Sequence, residues 1–273
     1  MDYAISTWIA AAAPGDEALA LLAASGFSRI ELSADACALV RAWEEDPVGT
    51  RRRLDAAGLQ PISIHSPEPG RFLDHPDEAR RDASLAANLA YLRGMEASDI
   101  PEIVIHPSHG GAFENEERRV ASRRHARCSL EKLAEEARRR GLRLAVENLG
   151  GPNHPAARME QLLSLIEGLG DHVGICFDVG HAEQARFSLL RELETALGSG
   201  KLFSLHLHDV LADNRDHFVP GEGRILFEPV IARLDHAGFS GGRVLEIAVA
   251  KNDLSGRLHQ TYQAARRFMQ AAQ

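Results

Sequence analysis

The stretch Arg143–His181, RLAVENLGGPNHPAARMEQLLSLIEGLGDHVGICFDVGH, alternates between two kinds of pattern. Short runs rich in β-branched and other apolar residues predict strands at Arg143–Asn148 and Val173–Asp178, and the amphipathic stretch Ala156–Leu169 between them predicts a helix. Gly170 follows that helix, at the position where a helix cap favours a positive φ. Two strands joined by a helix in this way are typical of a parallel sheet.

The same unit recurs along the chain. Further strands are predicted at Tyr3–Ile9, Arg29–Ser33, Pro61–His65, Glu102–His106, Leu202–His208 and Arg243–Val249. Further helices are predicted at Ala18–Leu22, Asp77–Met95, Glu114–Arg140, Leu189–Leu197, Ile225–Ala237 and Leu254–Ala271. Eight strands without a recognisable linker predict an α/β fold, a (β/α)₈ TIM barrel that occupies residues 1–273 as a single domain. An open doubly wound sheet would need a Gly-rich phosphate turn after its first strand, and residues 11–15 (AAAPG) do not supply one.

Composition narrows the function classes. The 273 residues are 44% hydrophobic and 26% charged, which excludes a disordered or fibrous chain. A net charge of −8 disfavours contact with phosphate backbones and anionic lipid, so we expect neither a nucleic-acid nor a membrane partner. The three scattered cysteines suit a reducing compartment. With no signal-peptide pattern at the start and no apolar run near about 18 residues, the expected location is cytoplasmic.

Ionisable residues collect at the C-terminal ends of the predicted strands, the face on which TIM barrels hold their active sites. These residues are His65, His106, Glu147, Asp178, His206, His208 and Glu246. Because side chains along a strand alternate between its two faces, the apolar neighbours face the helices and the polar residues point into the barrel. Glu31, between Ile30 and Leu32, points inward as well.

Four of these residues, Glu147, Asp178, His206 and Glu246, predict a divalent-metal site. Carboxylates gathered inside a barrel repel one another and raise each other's pKa, and a divalent cation removes that cost. Carboxylate and imidazole ligands without a thiolate suit Mn²⁺, Co²⁺, Mg²⁺ or Zn²⁺, and the sequence does not choose among them.

Other residues at the same end are expected to line the pocket. His65 and His106 either hold a second metal ion or donate hydrogen bonds in the pocket, and both readings stay open. His181 follows Asp178 by about one helical turn and is expected to reach the substrate, and His208 shares the inward face of His206. The segment 215–223, RDHFVPGEG, contains a stiff Pro-Gly-Glu-Gly turn that brings Arg215, Asp216 or His217 over the ligand.

Together these motifs resemble a known family. Val-Glu-Asn at 146–148, Phe-Asp-Val-Gly-His at 177–181, His-Leu-His-Asp at 206–209, Pro-Gly-Glu-Gly at 220–223 and Glu246 are similar to motifs of the xylose isomerase-like TIM-barrel superfamily. They most resemble its sugar phosphate isomerase/epimerase branch, which is related to endonuclease IV-type AP endonucleases. The likeness extends strand by strand over essentially the whole chain.

Resemblance to the ketose 3-epimerases in this branch implies a role for each residue. Glu147, Asp178, His206 and Glu246 would ligate one divalent ion, and Glu147 and Glu246 would also transfer the proton on opposite faces of the sugar. His181 and Arg215 would hold substrate hydroxyls. The implied activity is isomerisation or epimerisation of a sugar, sugar phosphate or polyol through an enediolate. Oligomeric state stays open, with homodimers and homotetramers common in the resembling family.

Two alternatives use the same residues differently. One is a metal-dependent lyase or dehydratase of a cyclic polyol or keto sugar. The other is an endonuclease IV-like hydrolase. That resemblance implies a first zinc on His65, His106 and Glu147, a second on Glu147, Asp178, His206 and Glu246, and a third that uses His181 and His217. Arg215 stands where that family has an aspartate, which argues against the third ion.

Overall fold

Eight parallel strands close into a barrel in chain order in the computed structural model, which describes residues 3–33, 37–66, 72–108 and 115–271. The strands are β1 (Ala4–Ser6), β2 (Arg29–Ser33), β3 (Gln60–His65), β4 (Glu102–Ile105), β5 (Arg143–Glu147), β6 (Val173–Asp178), β7 (Leu202–Leu207) and β8 (Gly242–Leu245). Closure comes from β1 pairing with β8, with Ala4 opposite Val244. The predicted (β/α)₈ barrel is confirmed.

Two predicted strands end three or four residues earlier than expected, the first and the last. Residues 7–10 continue β1 as a short 3₁₀ helix, in which the Ser6 hydroxyl accepts the backbone N–H of Trp8 at 3.4 Å. At the other end of the chain, Glu246 lies just beyond β8, although its backbone N–H still donates to the carbonyl of Leu207 at 3.2 Å. These departures place Trp8 and Glu246 in the mouth of the barrel rather than in its wall.

The helices surround the strands. They are α1 (Gly15–Ala24), α2 (Ala38–Glu45), α3 (Pro47–Ala56), α4 (Glu78–Ser98), α5 (Glu116–Arg139), α6 (Met159–Ile166), α7 (Val179–Gln184), α8 (Leu189–Gly198), α9 (Phe227–His236) and α10 (Leu254–Ala271). The sequence pattern missed α2, α3 and α7. Glu114, the first residue of the predicted helix Glu114–Arg140, lies outside the described residues. Over the described ranges, no helix combines the length and apolarity needed to cross a bilayer.

Apolar packing divides into two clusters. The large one lies between strands and helices, where Ile5, Ile30 and Phe177 are fully buried. The small one, Val104, Ala145 and Cys176 with Phe203, fills the inside of the barrel. Because these inner side chains are few and mostly small, the remaining interior positions near the C-terminal end of the barrel are available to charged and polar groups.

Candidate metal centre at the barrel mouth

The structure brings the four predicted ligands together. Glu147 ends β5, Asp178 ends β6, His206 lies in β7 and Glu246 follows β8. Each offers one ligand atom, and these atoms all lie within 4.8 Å of one another. Three of the four residues are completely buried, and Glu246 is 5% exposed. The parallel register contributes directly, because it sets Asp178 opposite His206 on adjacent strands.

Asn148 holds two of these strand ends in place. Its side-chain N–H donates to the carbonyl of Asp178 at 2.9 Å, and its side-chain oxygen accepts the backbone N–H of Asp178 at 2.8 Å. The Asp178 carboxylate in turn accepts the backbone N–H of His181, as the N-cap of α7. The Val-Glu-Asn and Phe-Asp-Val-Gly-His motifs are therefore joined by hydrogen bonds between the Asn148 side chain and the Asp178 backbone, and the His181 N–H orients the Asp178 carboxylate.

Carbonyl acceptors fix the tautomers of two imidazoles. His65 Nδ1 lies 3.0 Å from the carbonyl of Ser66, and His181 Nδ1 lies 2.9 Å from the carbonyl of Asn148. A carbonyl only accepts, so each Nδ1 carries a proton, and Nε2 presents a lone pair when the ring is neutral. His65 Nε2 lies 3.2 Å from Glu147 Oε2. A lone pair that faces a carboxylate oxygen calls for a cation between them.

Glu31 fixes the tautomer of His206 from inside the barrel. His206 Nε2 lies 3.2 Å from Glu31 Oε1 and 3.3 Å from Glu31 Oε2, and the Ser63 hydroxyl donates to Oε2 at 2.7 Å. His206 Nδ1 faces the other way, 3.1 Å from Glu246 Oε2 and 3.3 Å from Glu147 Oε2. This arrangement is the carboxylate–histidine pair that typically supports a metal-ligating imidazole.

The charges of the cluster balance only when protons or cations are present. Burial by itself would raise the pKa of Glu147, but the charges of His206 and His106 hold it well below its usual value. Burial would lower the pKa of His206, yet the surrounding acidic groups, among them Glu246 and Glu147, raise it well above its usual value. Protonated imidazoles therefore neutralise the carboxylates, and a divalent cation would replace those protons.

Two atoms of the proposed ligand set lack a hydrogen-bond partner among the described residues, which favours a cation at this position. Within the described part of the chain, Glu147 Oε1 and His206 Nδ1 are buried polar atoms that make no hydrogen bond. Buried polar atoms are normally paired, because an unpaired one loses the hydrogen bonds that water supplied. Coordination of a divalent ion would satisfy both, so the residues present fit such an ion.

A second, histidine-rich group lies beside the first and shares Asp178. Its other members are His181, His208 and His217, whose ligand atoms and that of Asp178 also lie within 4.8 Å of one another. Burial opposes protonation of His181, but Asp178 and Glu147 raise its pKa to about 9. Burial likewise opposes protonation of His217, whose pKa is raised to about 10 by Asp216 and Glu246.

The loop after β7 carries His217 and is anchored by Asp209. The buried Asp209 carboxylate accepts four backbone N–H groups at 2.8–3.1 Å, those of Val210, Gly221, Gly223 and Ile225. The Pro-Gly-Glu-Gly turn is thereby tied to the end of β7. His217 lies over the mouth, where the Trp8 ring meets it edge-on with centroids 4.8 Å apart.

The other predicted pocket residues differ in placement. His106 Nε2 lies 3.3 Å from Glu147 Oε2, and its ring meets that of His65 edge-on, so both histidines belong to the site. His208 is fully buried beneath His217. Arg215 is not brought to the cluster, because its side chain is 66% exposed and Nε donates to Asp213 at 2.9 Å.

Comparison with known proteins identifies the family of this barrel. A family model described as xylose isomerase-like TIM barrel matches residues 19–272. The chain belongs to this family. Two curated relatives of this chain carry different functional names. The chain is 28% identical over 180 residues to a probable endonuclease 4 of Methanoculleus marisnigri, a match that covers 60% of each chain.

A second curated relative of this xylose isomerase-like barrel is an inosose isomerase of Halalkalibacterium halodurans, 26% identical over 185 residues, covering 64% of this chain and 63% of the relative. The chain thus matches about three fifths of the length of both relatives. The crystal structure of a D-tagatose 3-epimerase-like protein superposes with a TM-score of 0.85 at 18% identity, covering 100% of this chain and 98% of that one. That likeness shows the shared fold.

Proposed function

We propose that this xylose isomerase-like barrel is a divalent-metal-dependent isomerase or epimerase of a sugar, sugar phosphate or related polyol. The observation that carries the proposal is the buried set Glu147, Asp178, His206 and Glu246, whose ligand atoms converge at the C-terminal mouth. The names of the inosose isomerase relative and the tagatose epimerase-like structure support the substrate class. A carbohydrate carries the adjacent carbonyl and hydroxyl oxygens that such a centre would bind.

The four residues would hold one ion of Mn²⁺, Co²⁺, Mg²⁺ or Zn²⁺, which, when bound, supplies Lewis-acid stabilisation of negative charge on the substrate oxygens. Glu147 and Glu246 would transfer the proton on the carbon next to the carbonyl. Both carboxylates have a pKa held well below the usual value against the effect of burial, Glu246 by His206 and His217, so both are ionised and able to accept a proton.

Histidines at the mouth would orient the substrate. His181 is 8% exposed, and its Nδ1–H is committed to the Asn148 carbonyl, which leaves Nε2 to hydrogen-bond a substrate hydroxyl. His217 is half-buried above Glu246, with Nε2 3.4 Å from Glu246 Oε2. Arg215 would contact the substrate only after its guanidinium leaves Asp213.

A second candidate function follows from the group His65, Glu147 and His206, whose ligand atoms also lie within 4.8 Å of one another. A second ion there would make a dinuclear centre suited to a metal-dependent lyase or to hydrolysis, in line with the relative named probable endonuclease 4. His106, which lies 3.3 Å from Glu147, would complete that ligand set.

Metal content and proton exchange test the proposal. Metal-free protein is reconstituted with each of the four ions, and a panel of ketoses and inososes in D₂O is followed by proton NMR. We expect deuterium to enter the carbon next to the carbonyl as the epimer or isomer appears. Glu147→Gln and Glu246→Gln should each slow this exchange by about 10³-fold or more, whereas the surface variant Glu131→Gln should not change it.

Each alternative gives a different result. Full turnover by both glutamine variants would rule out the proton-transfer assignment. Consumption of the substrate with a new ultraviolet absorbance would indicate a lyase. Two tightly held ions per chain, one of which is lost on changing His65 or His106, would indicate the dinuclear centre, and cleavage of an abasic-site DNA would then identify the hydrolase.

A further inference from the structure

His208 has its two nitrogens used in the opposite sense to those of His65 and His206. We propose that His208 is a positioning residue, which donates a hydrogen bond to Asp178 and links it to the loop that carries His217, and that it is not a metal ligand. The inference rests on the proposed metal centre for its functional meaning. Its structural basis is a set of hydrogen bonds that involve no metal.

The tautomer of His208 is set by a backbone donor. The backbone N–H of His217 donates to His208 Nδ1 at 2.9 Å, so Nδ1 must present a lone pair. The Asp209 carbonyl is the other polar neighbour of Nδ1 and lies 3.5 Å away, too far to hold a proton there against the closer donor. The proton of the neutral ring is therefore on Nε2.

That proton points at Asp178. His208 Nε2 lies 3.1 Å from both carboxylate oxygens of Asp178, and both residues are fully buried. Asp178 Oδ1 also accepts the backbone N–H of His181. Two donors from different elements thus fix the rotation of this carboxylate, with Oδ2 on the side of His206, whose Nδ1 lies 3.9 Å away.

The same geometry argues against His208 as a ligand. Coordination through Nε2 would move the ring proton to Nδ1, where it would face the backbone N–H of His217, donor against donor. His65 and His206 show the reverse arrangement, because each donates outward to a carbonyl or carboxylate and, when neutral, keeps a lone pair facing inward. The histidine-rich group is therefore not a four-ligand cage.

Packing holds the ring in this orientation. The rings of His208 and His217 stack with centroids 3.9 Å apart and planes inclined by 14°. On the other side, a Cβ added at Gly180 would lie 1.9 Å from His208 Cε1, so only glycine leaves room for the ring. Loop 209–225 and the first turn of α7 therefore meet through one imidazole.

Nitrogen NMR of the full-length, ¹⁵N-labelled protein tests the tautomer directly. We expect a neutral Nε2–H ring for His208, unchanged when Zn²⁺ is added, and His208→Gln assigns the resonance by its disappearance. An Nδ1–H tautomer, or a metal-induced shift at Nε2, would overturn the proposal. The tautomer is measured on the wild-type protein, and the variant serves only to assign the resonance.

Metal affinity tests the positioning role. Mn²⁺ is titrated into metal-free protein by calorimetry. His208→Leu, which has no donor, should weaken binding by about 10- to 100-fold at unchanged stoichiometry, whereas His208→Gln, which keeps an N–H near the position of Nε2, should stay within about fivefold. His172→Gln is the matched control, since His172 bonds the Ala134 carbonyl in the helical layer.

Two results of the titration would contradict the positioning role. One is loss of an ion per chain in both His208 variants, and the other is equal weakening by leucine and glutamine. Neither readout requires turnover of a sugar. Failure to find a carbohydrate substrate would thus count against the proposed function and leave the role of His208 standing.

Discussion

Removing the charge of Glu31 should weaken metal binding although Glu31 is not among the proposed ligands. Its carboxylate lies 3.2–3.3 Å from His206 Nε2, and both side chains are fully buried. The carboxylate holds the proton on Nε2 and thereby keeps the lone pair of Nδ1 directed at Glu246 and Glu147. Without that partner, the ring would lose both its fixed tautomer and part of its basicity.

The magnitude follows from the contact. A hydrogen bond to a charged, buried group contributes about 1.5–3 kcal/mol, which corresponds to roughly 10- to 150-fold in an equilibrium constant. Glu31→Gln keeps an oxygen that accepts from His206 but loses the charge, so we expect Mn²⁺ affinity to fall by about 10-fold. Glu31→Leu removes the acceptor, and we expect a fall of about 100-fold.

Calorimetric titration of metal-free protein with Mn²⁺ measures both effects, and thermal unfolding shows whether the variants keep the fold. Ser63→Ala is the matched control, because it removes the donor to Glu31 Oε2 at 2.7 Å and leaves the Glu31–His206 contact in place. It should change the affinity by no more than about threefold. Affinities within twofold of the wild type for both Glu31 variants, with the fold retained, would refute the reasoning.

Two more predictions concern stability. The pKa of His181 is raised to about 9 in the folded, metal-free protein against an ordinary value of 6.5, so protonation of His181 adds about 3 kcal/mol to the free energy of unfolding. This stabilisation is fully present below pH 6.5 and is lost as the pH rises through 9. The melting temperature of chelated protein should fall over this range, and His181→Asn should flatten the profile; a profile identical in both proteins would contradict the assignment. Asp209→Ala leaves four backbone N–H groups without their acceptor and should lower the free energy of unfolding, measured in urea, by at least about 3 kcal/mol. The stability of Asp209→Asn should lie between that of Asp209→Ala and the wild type. A loss below about 1 kcal/mol for Asp209→Ala would show that the loop does not depend on this anchor.

The sequence alone predicted the barrel and the four residues whose ligand atoms meet at its mouth. Alternating strand and helix patterns predict parallel strands, and in a parallel barrel all strand ends of one kind meet at one mouth. Residues that end strands, such as Glu147 and Asp178, are therefore neighbours in space although 31 positions separate them, and the register sets Asp178 opposite His206. Periodicity also placed Glu31 inside the barrel.

The direction of each side chain was decided only by tertiary structure. Arg215 and His217 are two positions apart in the same loop, yet one faces solvent beside Asp213 and the other lies over Glu246. The backbone of Asp209 pairs with that of Phe218, next to His217, and the Asp209 carboxylate accepts backbone N–H groups from positions up to 16 residues away. Spacing along the chain does not record these contacts.

The tautomers of the histidines are likewise a product of the folded chain. His206 and His208 share the same face of one strand end, but their partners differ. Glu31, 175 positions from His206, accepts a hydrogen bond from that ring, whereas the backbone N–H of His217 donates one to His208. Which nitrogen keeps a lone pair depends on the partner that folding brings to the opposite side of the ring. Sequence determined which residues meet at the mouth, and the fold decided which of their atoms face a cation.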